Sequence, residues 1–356
     1  MSASQIQVRV LLSIVIALCL GGVLIVIDGH NPLAAYAALL NESFLDYWGL
    51  SNTLVKASPM LLAGLAVILP LRAGVFNIGG EGQIYMGGLF GAVVALNIPD
   101  TPGVLGLIAI FGAAAVGGGL WAAFPAYLRA YKGTNEVIVT LLMNFVAIHI
   151  VSYAVSGPLM AEGAPYPYSE EIADQFKLPI LMPRSDAHLG ILIGVLAAVL
   201  LYFWIRSTPS GFRLDLVGRN ARAATYAGVN AKRNIMMSMI VGGALAGLAG
   251  AIEVAGLKYR LFHLFSDGYG YDGIVVAFLA ALNPIVAPVA AFFLAGLSAG
   301  AGTMQRSIGV EGSVVEAIEG IIVICVAAAL VVRKPTADSG WLKRLLPQRN
   351  KNAGGV

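Results

Sequence analysis

Charged residues are scarce in this chain, since Asp, Glu, Lys and Arg together make up only 12% of its 356 residues. Hydrophobic residues account for 58%, and the mean hydropathy is +0.82. Soluble domains carry about 25% charged residues, because a surface in contact with water has to be polar. The composition therefore excludes a soluble globular protein and predicts an all-α, polytopic transmembrane helical bundle.

Cysteine is almost absent, and so are the motifs of nucleotide chemistry. Cys19 and Cys325 lie in separate apolar runs, far from any histidine, which excludes a disulfide framework and a cysteine metal site. The sequence contains no Gly-x-x-x-x-Gly-Lys-Ser/Thr, so the chain does not supply a phosphate-binding loop for ATP. We expect no metal, no cofactor and no catalytic residues in this chain, and nothing in the sequence points to nucleic acid.

Two strings resemble enzyme motifs but lack the context that such motifs require. Gly268–Gly273 matches the dinucleotide fingerprint, yet no strand precedes it and a membrane segment follows. Gly296-Leu-Ser298-Ala-Gly300 matches a nucleophile elbow but lies in an apolar segment, where small residues serve helix packing. An enzyme is therefore not expected, and an intramembrane hydrolase that uses Ser298 is the alternative from a different class.

Apolar runs recur along the chain at lengths that approach the roughly 20 residues needed to cross a bilayer. The run at 274–302 is long enough for two segments, and Asn283-Pro284 predicts a break within it, because proline removes a helix donor. With that break the chain has about ten membrane segments. They lie near 10–27, 54–71, 83–97, 104–127, 136–157, 189–205, 235–257, 274–302 (counted twice) and 315–332.

The positive residues give an orientation for these segments. With both termini in the cytoplasm, most Lys and Arg between the segments lie inside, as the positive-inside rule requires. The transmembrane domain then covers 1–332, and 333–356 forms a basic cytoplasmic tail. Residues 206–234, here named the basic loop, lie inside. Residues 158–188, the acidic loop, lie outside, as does the stretch 28–50.

Two polar, glycine-rich hairpins share an order of residues. Hairpin 1 (72–87) and hairpin 2 (260–274) each contain Arg, then Phe with polar residues, then glycines and an acid, before a short apolar segment. The orientation places them on opposite sides of the membrane. That arrangement is typical of an inverted repeat around a translocation path, although Gly-rich loops can also be alike by chance.

The basic loop predicts a docking surface. It holds six Lys and Arg residues and one acid, Asp215, between long apolar segments. Residues 216–229 read as one short helix between glycines, which suits a groove in a partner protein, and Ala223 and Ala224 are small enough to pack into that groove. The predicted coupling residues are Arg219, Asn220, Arg222, Ala223, Ala224, Tyr226 and Gly228.

Polar side chains at membrane depth predict a wet interior. Such groups are costly in lipid, so they should face a cavity or the bundle interior. Helix capping and hairpin rigidity are the structural alternative for the residues near hairpin 1. Glu316 and Glu319 share a helix face, where an interfacial position is equally open. The predicted path residues are Asn77, Glu81, Gln83, Asn135, Glu136, Asn144 and Asp272.

Four stretches carry a family resemblance. RAGVFNIGGEGQ at 72–83, GTNEVIVTLLMN at 133–144, VGRNARAATYAG at 217–228 and YDGIVVA at 271–277 resemble permease subunits of bacterial ABC importers. The likeness is closest to the branch for nucleosides and simple sugars, which is related to the ribose and branched-chain amino acid permeases. The sequence departs from that branch at Arg219-Asn-Ala-Arg222, where a Glu-Asn-Pro-like run is common.

The resemblance implies an inner-membrane permease that imports nucleosides or a simple sugar. It further implies a second permease subunit, identical or different, ATP-binding subunits that bind the ATP inside, and a lipid-anchored or periplasmic binding protein outside. Residues 219–228 would form the coupling helix. A stand-alone secondary transporter driven by an ion gradient is the alternative, because such proteins also have inverted repeats and intramembrane carboxylates.

Overall fold

A computed structural model describes residues 3–314 together with 317, 318, 320, 321, 324 and 325. These residues form helices and connecting loops, and their only β pairings are two isolated bridges, Tyr168 with Phe262 and Ile180 with His188. The α-helices are α1 (Ala3–Ile27), α2 (Pro32–Leu40), α3 (Tyr47–Arg72), α4 (Gly80–Asn97), α5 (Gly103–Tyr127), α6 (Glu136–Ser156), α7 (Gly190–Ser207), α8 (Pro209–Arg219), α9 (Ala221–Tyr226), α10 (Ala231–Ile252), α11 (Tyr269–Leu279) and α12 (Ala287–Ile308).

Six helical segments within the described residues are long and apolar enough to cross a membrane. They are Tyr47–Arg72, Gly103–Lys132, Glu136–Ser156, Gly190–Ser207, Ala231–Lys258 and Ala287–Ile308. A seventh arises if Val15–Ile27 and Pro32–Leu45, which are bent by 119° relative to each other, count as one span. The all-helical membrane fold is thus confirmed, with six or seven spans by this criterion.

Three of the expected membrane segments are not among these six or seven spans, each for a different reason. Helix α11 has 11 residues and is therefore about 16 Å long, roughly half of a 30 Å hydrocarbon core. Helix α4 begins inside the bundle, since Gly80, Glu81 and Gln83 in its first turn are all buried. Most of 315–332, including Glu316 and Glu319, and all of 333–356 lie outside the described residues.

The expected break in the run at 274–302 is present. Helix α11 ends at Leu279 and α12 begins at Ala287, with Asn283 and Pro284 in the turn between them. Ala281 and Leu282 both adopt positive φ, at 50° and 58°, a conformation that costs free energy in residues other than glycine. The turn is therefore tight and strained, and the neighbouring elements have to hold it.

Stretch 28–50 was expected to be an acidic loop outside the membrane, but it is largely helical. Its central part is helical, comprising α2 and a π-helical turn at Asn41–Leu45. The Asn31 side chain accepts hydrogen bonds from the N–H groups of Leu33 and Ala34, and Pro32 occupies the first helical position, so local capping starts the helix. The residues between α1 and α3 thus form a second short apolar helix.

Helix α3 lies at the centre of the bundle. All of its residues from Ala57 to Pro70 are buried, and it packs against α7, α10, α11 and α12. Helix α10 packs in turn on α4 and α5 through Gly243 and Gly247, where an added Cβ would lie 2.5 Å from the Gly118 carbonyl oxygen and 2.1 Å from that of Ala114. The Gly-x-x-x-Gly spacing therefore serves close helix packing, as expected in a membrane.

Candidate translocation and coupling sites

The two hairpins meet inside the bundle. Helix α4 starts at Gly80, directly after the loop of hairpin 1, and α11 starts at Tyr269 in hairpin 2. A Cβ on Gly270 would lie 2.1 Å from the backbone nitrogen of Glu81, so the two backbones touch. Glycine is required at this position because any side chain would push the hairpins apart.

Glu81 joins the hairpins chemically. Its Oε2 accepts a hydrogen bond of 2.8 Å from the backbone N–H of Gly270, in the first turn of α11. That N–H belongs to the unpaired donors of a helix start, where negative charge is favoured. Glu81 is only 3% exposed, so it links the two hairpins in the interior of the bundle.

A set of buried amides fixes the loop of hairpin 1. The Asn77 and Gln83 side chains hydrogen bond to each other in both directions at 3.2 Å, and Asn77 Oδ1 also accepts from the Gly79 N–H at 2.9 Å. Asn144 on α6 donates to the Ile78 carbonyl at 2.9 Å and accepts from the Gly82 N–H at 2.9 Å. In this conformation the amide side chains hydrogen bond to one another and to backbone groups of the hairpin. To contact a solute, they would have to break these hydrogen bonds.

Asn135 and Glu136 lie at the start of α6. Asn135 is exposed, and its Oδ1 caps the helix by accepting from the Val137 N–H at 3.0 Å. Glu136 Oε2 lies 3.2 Å from Arg129 Nε, and its Oε1 accepts from the Phe76 N–H at 3.3 Å. Asn135 therefore caps its own helix and Glu136 connects α6 to its surroundings, while the role of both in the path stays a prediction.

A cavity of about 340 Å³ opens on the side of the hairpin contact where α11 begins. Lys56 Nζ on α3 donates to Ser298 Oγ on α12 at 3.0 Å within its wall. Asp272, a predicted path residue, is half-buried in the first turn of α11, next to the cavity wall formed by Tyr269. The other lining residues are Asn52, Val55, Asp186, Leu257, Asp267, Ala299, Gly302 and Arg306.

Sequence reasoning missed two charged groups, Lys56 and Glu253, and singled out Ser298 for a different reason. Lys56 was overlooked as a lone cation inside an apolar run, and a single lysine at that depth was the available signal. Glu253 lies in a π-helical turn at the end of α10, fully buried, with neither carboxyl oxygen hydrogen-bonded in the described part of the chain. Ser298 sits within α12 and has a lysine partner, so the strand-to-helix turn of a nucleophile elbow does not form around it.

The basic loop differs from the expected single helix over 216–229. Helix α8 ends at Arg219, and a separate helix, α9, spans Ala221–Tyr226. Asn220 separates them because it adopts an extended backbone, with φ of −161°, and its Oδ1 accepts at 3.0 Å from the N–H groups of Arg222 and Ala223. An asparagine N-cap therefore starts a new helix where the composition suggested continuity.

Helix α9 presents most of its predicted coupling residues to solvent. Tyr226 is 94% exposed. Ala224 is instead fully buried in its own chain, so the expectation that it packs into a partner groove is wrong for this side chain. Ala224 lies on the face of α9 that packs against the rest of the protein. The residues next to it in the sequence lie on the opposite, exposed face. The remaining exposed members are Arg219, Asn220, Arg222, Ala223 and Gly228, whose role in docking stays a prediction.

Helix α8 is fastened to the bundle through Gly211, Leu214 and Val217, which are buried on one face. An ion pair adds to this contact, because Arg72 at the end of α3 binds the Asp215 carboxylate through both Nε, at 2.8 Å, and Nη2, at 2.5 Å. The basic loop is thus connected directly to hairpin 1. Among the described residues, no group of three or more His, Cys, Asp or Glu is arranged to hold a metal ion.

Comparison with known proteins gives one family over most of the chain. Residues 49–327 match the family described as branched-chain amino acid transport system, permease component. No solved structure matches the chain.

Several named relatives are similar over most of their length. The glucose ABC transporter permease protein TsgB13 of Haloferax volcanii is 37% identical, covering 88% of this chain and 85% of that protein. The guanosine ABC transporter permease protein NupP of Bacillus subtilis is 36% identical, covering 91% and 93%. The nucleoside ABC transporter permease protein NupB of Lactococcus lactis is 28% identical, covering 90% and 91%. With its multi-pass helical bundle, the chain therefore belongs to this permease family and is a membrane permease of the ABC transporter class.

Proposed function

We propose that this chain is the translocating subunit of an ABC importer for nucleosides, with a simple sugar as the second candidate. The named relatives support both substrates, since NupP and NupB are named for guanosine and nucleosides and TsgB13 for glucose. The observation that carries the proposal is the contact between the hairpins at Glu81 and Gly270, which lies next to a cavity with polar and charged walls. Such a contact can act as a gate, because separating two touching backbones opens a passage.

The cavity suits a small polar solute. Its volume of about 340 Å³ lies at the lower end of the range of roughly 300 to 1,000 Å³ for small-molecule sites. Its wall combines hydroxyl, amide, carboxylate and cationic groups with the aromatic ring of Tyr269. Polyhydroxylated solutes such as ribose rings hydrogen bond to groups of this kind.

The charge of the cavity modifies one expectation from the sequence. The path residues predicted from the sequence are amides and carboxylates, with no lysine or arginine among them. Lys56 and Arg306 in fact line the same cavity as Asp186 and Asp267, so its formal charges balance. A balanced site favours a neutral solute, since an anion or a cation would add a net charge that the lining groups do not compensate.

The proposed topology has ten membrane segments in the bacterial inner membrane, with both termini in the cytoplasm. Hairpins 1 and 2 are then the equivalent parts of an inverted repeat. In support, Arg72 at the start of hairpin 1 pairs with Asp215 of the basic loop, and Arg260 at the start of hairpin 2 pairs with Glu171 of the acidic loop at 3.0 Å. Each hairpin is thus tied to the long loop on its own side of the bundle.

The proposed partners are those that the permease family implies, and the two long loops offer surfaces for them. The outer surface of α9, with Arg222 and Tyr226, would contact an ATP-binding subunit that supplies the ATP site. The acidic loop would receive a lipid-anchored or periplasmic binding protein, and a second permease, identical or different, would complete the complex. Affinity for the solute would then rest with the binding protein, while this chain supplies passage.

Uptake into vesicles tests the proposal. The complex, copurified in mild detergent with its partners and reconstituted, should accumulate labelled nucleosides only when ATP is supplied, and should not accumulate nucleoside monophosphates. Glucose accumulation without nucleoside accumulation would select the sugar candidate. Uptake driven by a proton or sodium gradient without ATP would contradict the importer and favour the stand-alone secondary transporter.

A further inference from the structure

Arg72 uses all three of its guanidinium nitrogen atoms to connect three separate elements. Nε and Nη2 bind the two carboxylate oxygens of Asp215 on α8, while Nη1 donates to the Leu282 carbonyl at 3.1 Å in the turn between α11 and α12. Arg72 itself ends α3. The planar guanidinium therefore joins the basic loop, the central helix and the α11–α12 turn at one point.

The choice of partners is specific. Asp215 is the only acid within the basic loop, where Arg206, Arg213 and Arg219 are closer to it in sequence than Arg72 is. It nevertheless pairs with an arginine 143 positions away. The pair is partly shielded, with side-chain exposures of 25% and 31%, so it is screened less than an ion pair on the open surface.

Backbone contact reinforces the same connection. A Cβ on Gly218 would lie 1.8 Å from the Arg72 carbonyl oxygen, so the last turn of α8 rests directly on the end of α3. Because the two backbones are in contact, a displacement of α8 would move the end of α3 directly. Beside the pair, a cavity of about 390 Å³ lined by Tyr202, Phe212 and Asn283 leaves room for such a displacement.

The third connection reaches a strained segment. Leu282, whose carbonyl accepts from Arg72, is one of the two consecutive residues with positive φ in the α11–α12 turn. Helix α11 leads from this turn to Gly270, the contact point of the two hairpins. Covalent bonds and hydrogen bonds thus connect Arg72 without interruption to the proposed gate.

We infer that Arg72 is the positioning residue that transmits movement of the basic loop to the hairpin contact, through Asp215 on one side and Leu282 on the other. The inference rests on the proposed function, because it assigns a role to the loop that would receive force from the ATP-binding subunit. Loss of the connection should uncouple the complex, so that ATP is still hydrolysed but drives little uptake. A merely structural role would instead lower both quantities together.

The ratio of solute taken up to ATP hydrolysed in reconstituted vesicles provides the test. Arg72→Lys, which keeps the charge but cannot bind two carboxylate oxygens and a carbonyl together, should lower this ratio about tenfold, within the usual range of coupling between sites. Asp215→Asn should do the same. Arg72→Glu combined with Asp215→Arg should recover part of the ratio, because it restores the α3–α8 ion pair without the bond to Leu282.

Arg213→Gln is the matched control, since Arg213 is exposed on the same helix and has no ion pair within the described residues. An unchanged ratio in Arg72→Lys and Asp215→Asn, or a double variant no better than the single ones, would overturn the inference. Failure of the wild-type complex to couple ATP to uptake would contradict the proposed function instead.

Hydrogen exchange on the purified full-length chain tests the connection without transport. Arg72→Lys should speed amide exchange in residues 280–283 and in α8, while Arg213→Gln should not. Unchanged exchange in both segments of Arg72→Lys would contradict the connection itself.

Discussion

At the scale of single residues, close contact between backbones decides where side chains are allowed. Gly270 lies against Glu81, and Gly218 lies against the Arg72 carbonyl, with virtual Cβ distances near 2 Å in both cases. Polar side chains connect neighbouring elements as well, since Glu81 and Asn144 each hydrogen bond to the backbone of another element. These contacts are short range, so a single methyl group should disturb them.

Gly270→Ala should destabilise the folded bundle, because the added Cβ cannot fit 2.1 Å from the Glu81 nitrogen. Overpacking of this kind costs about 1 to 3 kcal/mol. Thermal unfolding in detergent, followed by size-exclusion chromatography, should show a lower midpoint. Gly112→Ala in α5 is the control, since nothing lies within 4 Å of the added Cβ there. Equal midpoints for both variants would contradict the described hairpin contact.

At the scale of elements, each long loop is attached to a hairpin by charge. The basic loop is held by Asp215 and Arg72, and the acidic loop by Glu171, which accepts from both Lys177, at 2.7 Å, and Arg260, at 3.0 Å. Helix α9 projects from its loop with one face buried through Ala224 and the other exposed. Its two faces should therefore respond differently to substitution.

Tyr226→Ala should weaken substrate-stimulated ATP hydrolysis of the complex without lowering the amount of permease in the membrane, because Tyr226 is 94% exposed and available to a partner. Ala224→Glu should instead lower the amount of folded permease, since a buried unpaired charge costs several kcal/mol, about 3 to 5. ATPase assays alongside quantitative blots separate the two effects. Normal stimulation in Tyr226→Ala would remove α9 from the docking surface.

The stability of the acidic loop should depend on pH. The hydrogen bond from Lys177, followed by the charges of Lys177 and Arg260, holds the pKa of Glu171 below its ordinary 4.5, and Lys177 lowers the pKa of Asp174 as well. A lowered carboxyl pKa contributes stability above the ordinary pKa, and this stability is lost as the pH falls through the lowered value.

Hydrogen exchange in residues 168–178 and 258–262 should therefore stay slow near neutral pH and accelerate below about pH 4.5, after correction for intrinsic rates. Glu171→Gln should remove most of this pH dependence. Because the side chains are largely solvated, added salt should weaken the effect. A pH dependence that persists in Glu171→Gln would point to another group.

At the scale of the whole molecule, the proposed inverted repeat puts the two loops on opposite sides of the membrane. Helix α4 runs from the hairpin contact towards Asn97, and α11 runs from the same contact towards the turn that binds Arg72. Two helices that start at one point inside the bundle and lead to opposite ends are typical of transporters with inverted repeats.

Cysteine labelling tests this arrangement. In a chain with Cys19 and Cys325 replaced by serine, Glu162→Cys in the acidic loop should react with an impermeant reagent in cells whose outer membrane has been made permeable. Ser210→Cys in the basic loop should react only in inverted vesicles. Both positions are exposed, whereas Ser169 is buried and unsuitable. Labelling of both from the same side would contradict the topology.

The amino-acid sequence by itself determined the class of protein, the apolar segments, the break near Asn283-Pro284 and the position of the basic loop. These features depend on local composition, because lipid selects long apolar helices and proline and charge act on their immediate neighbours. Sequence also singled out Glu81 and Asn144, since a polar side chain at membrane depth needs a partner.

Only the tertiary structure decided which partners those residues have. Glu81 accepts a hydrogen bond from Gly270, 189 positions away, and Lys56 donates to Ser298, 242 positions away. Arg72 pairs with Asp215, 143 positions away in the sequence. Helix packing also turned Ala224 inwards and left Tyr226 exposed. Contacts between distant residues depend on how helices cross and how closely glycines let them approach. Neither quantity is contained in the pattern of neighbouring residues.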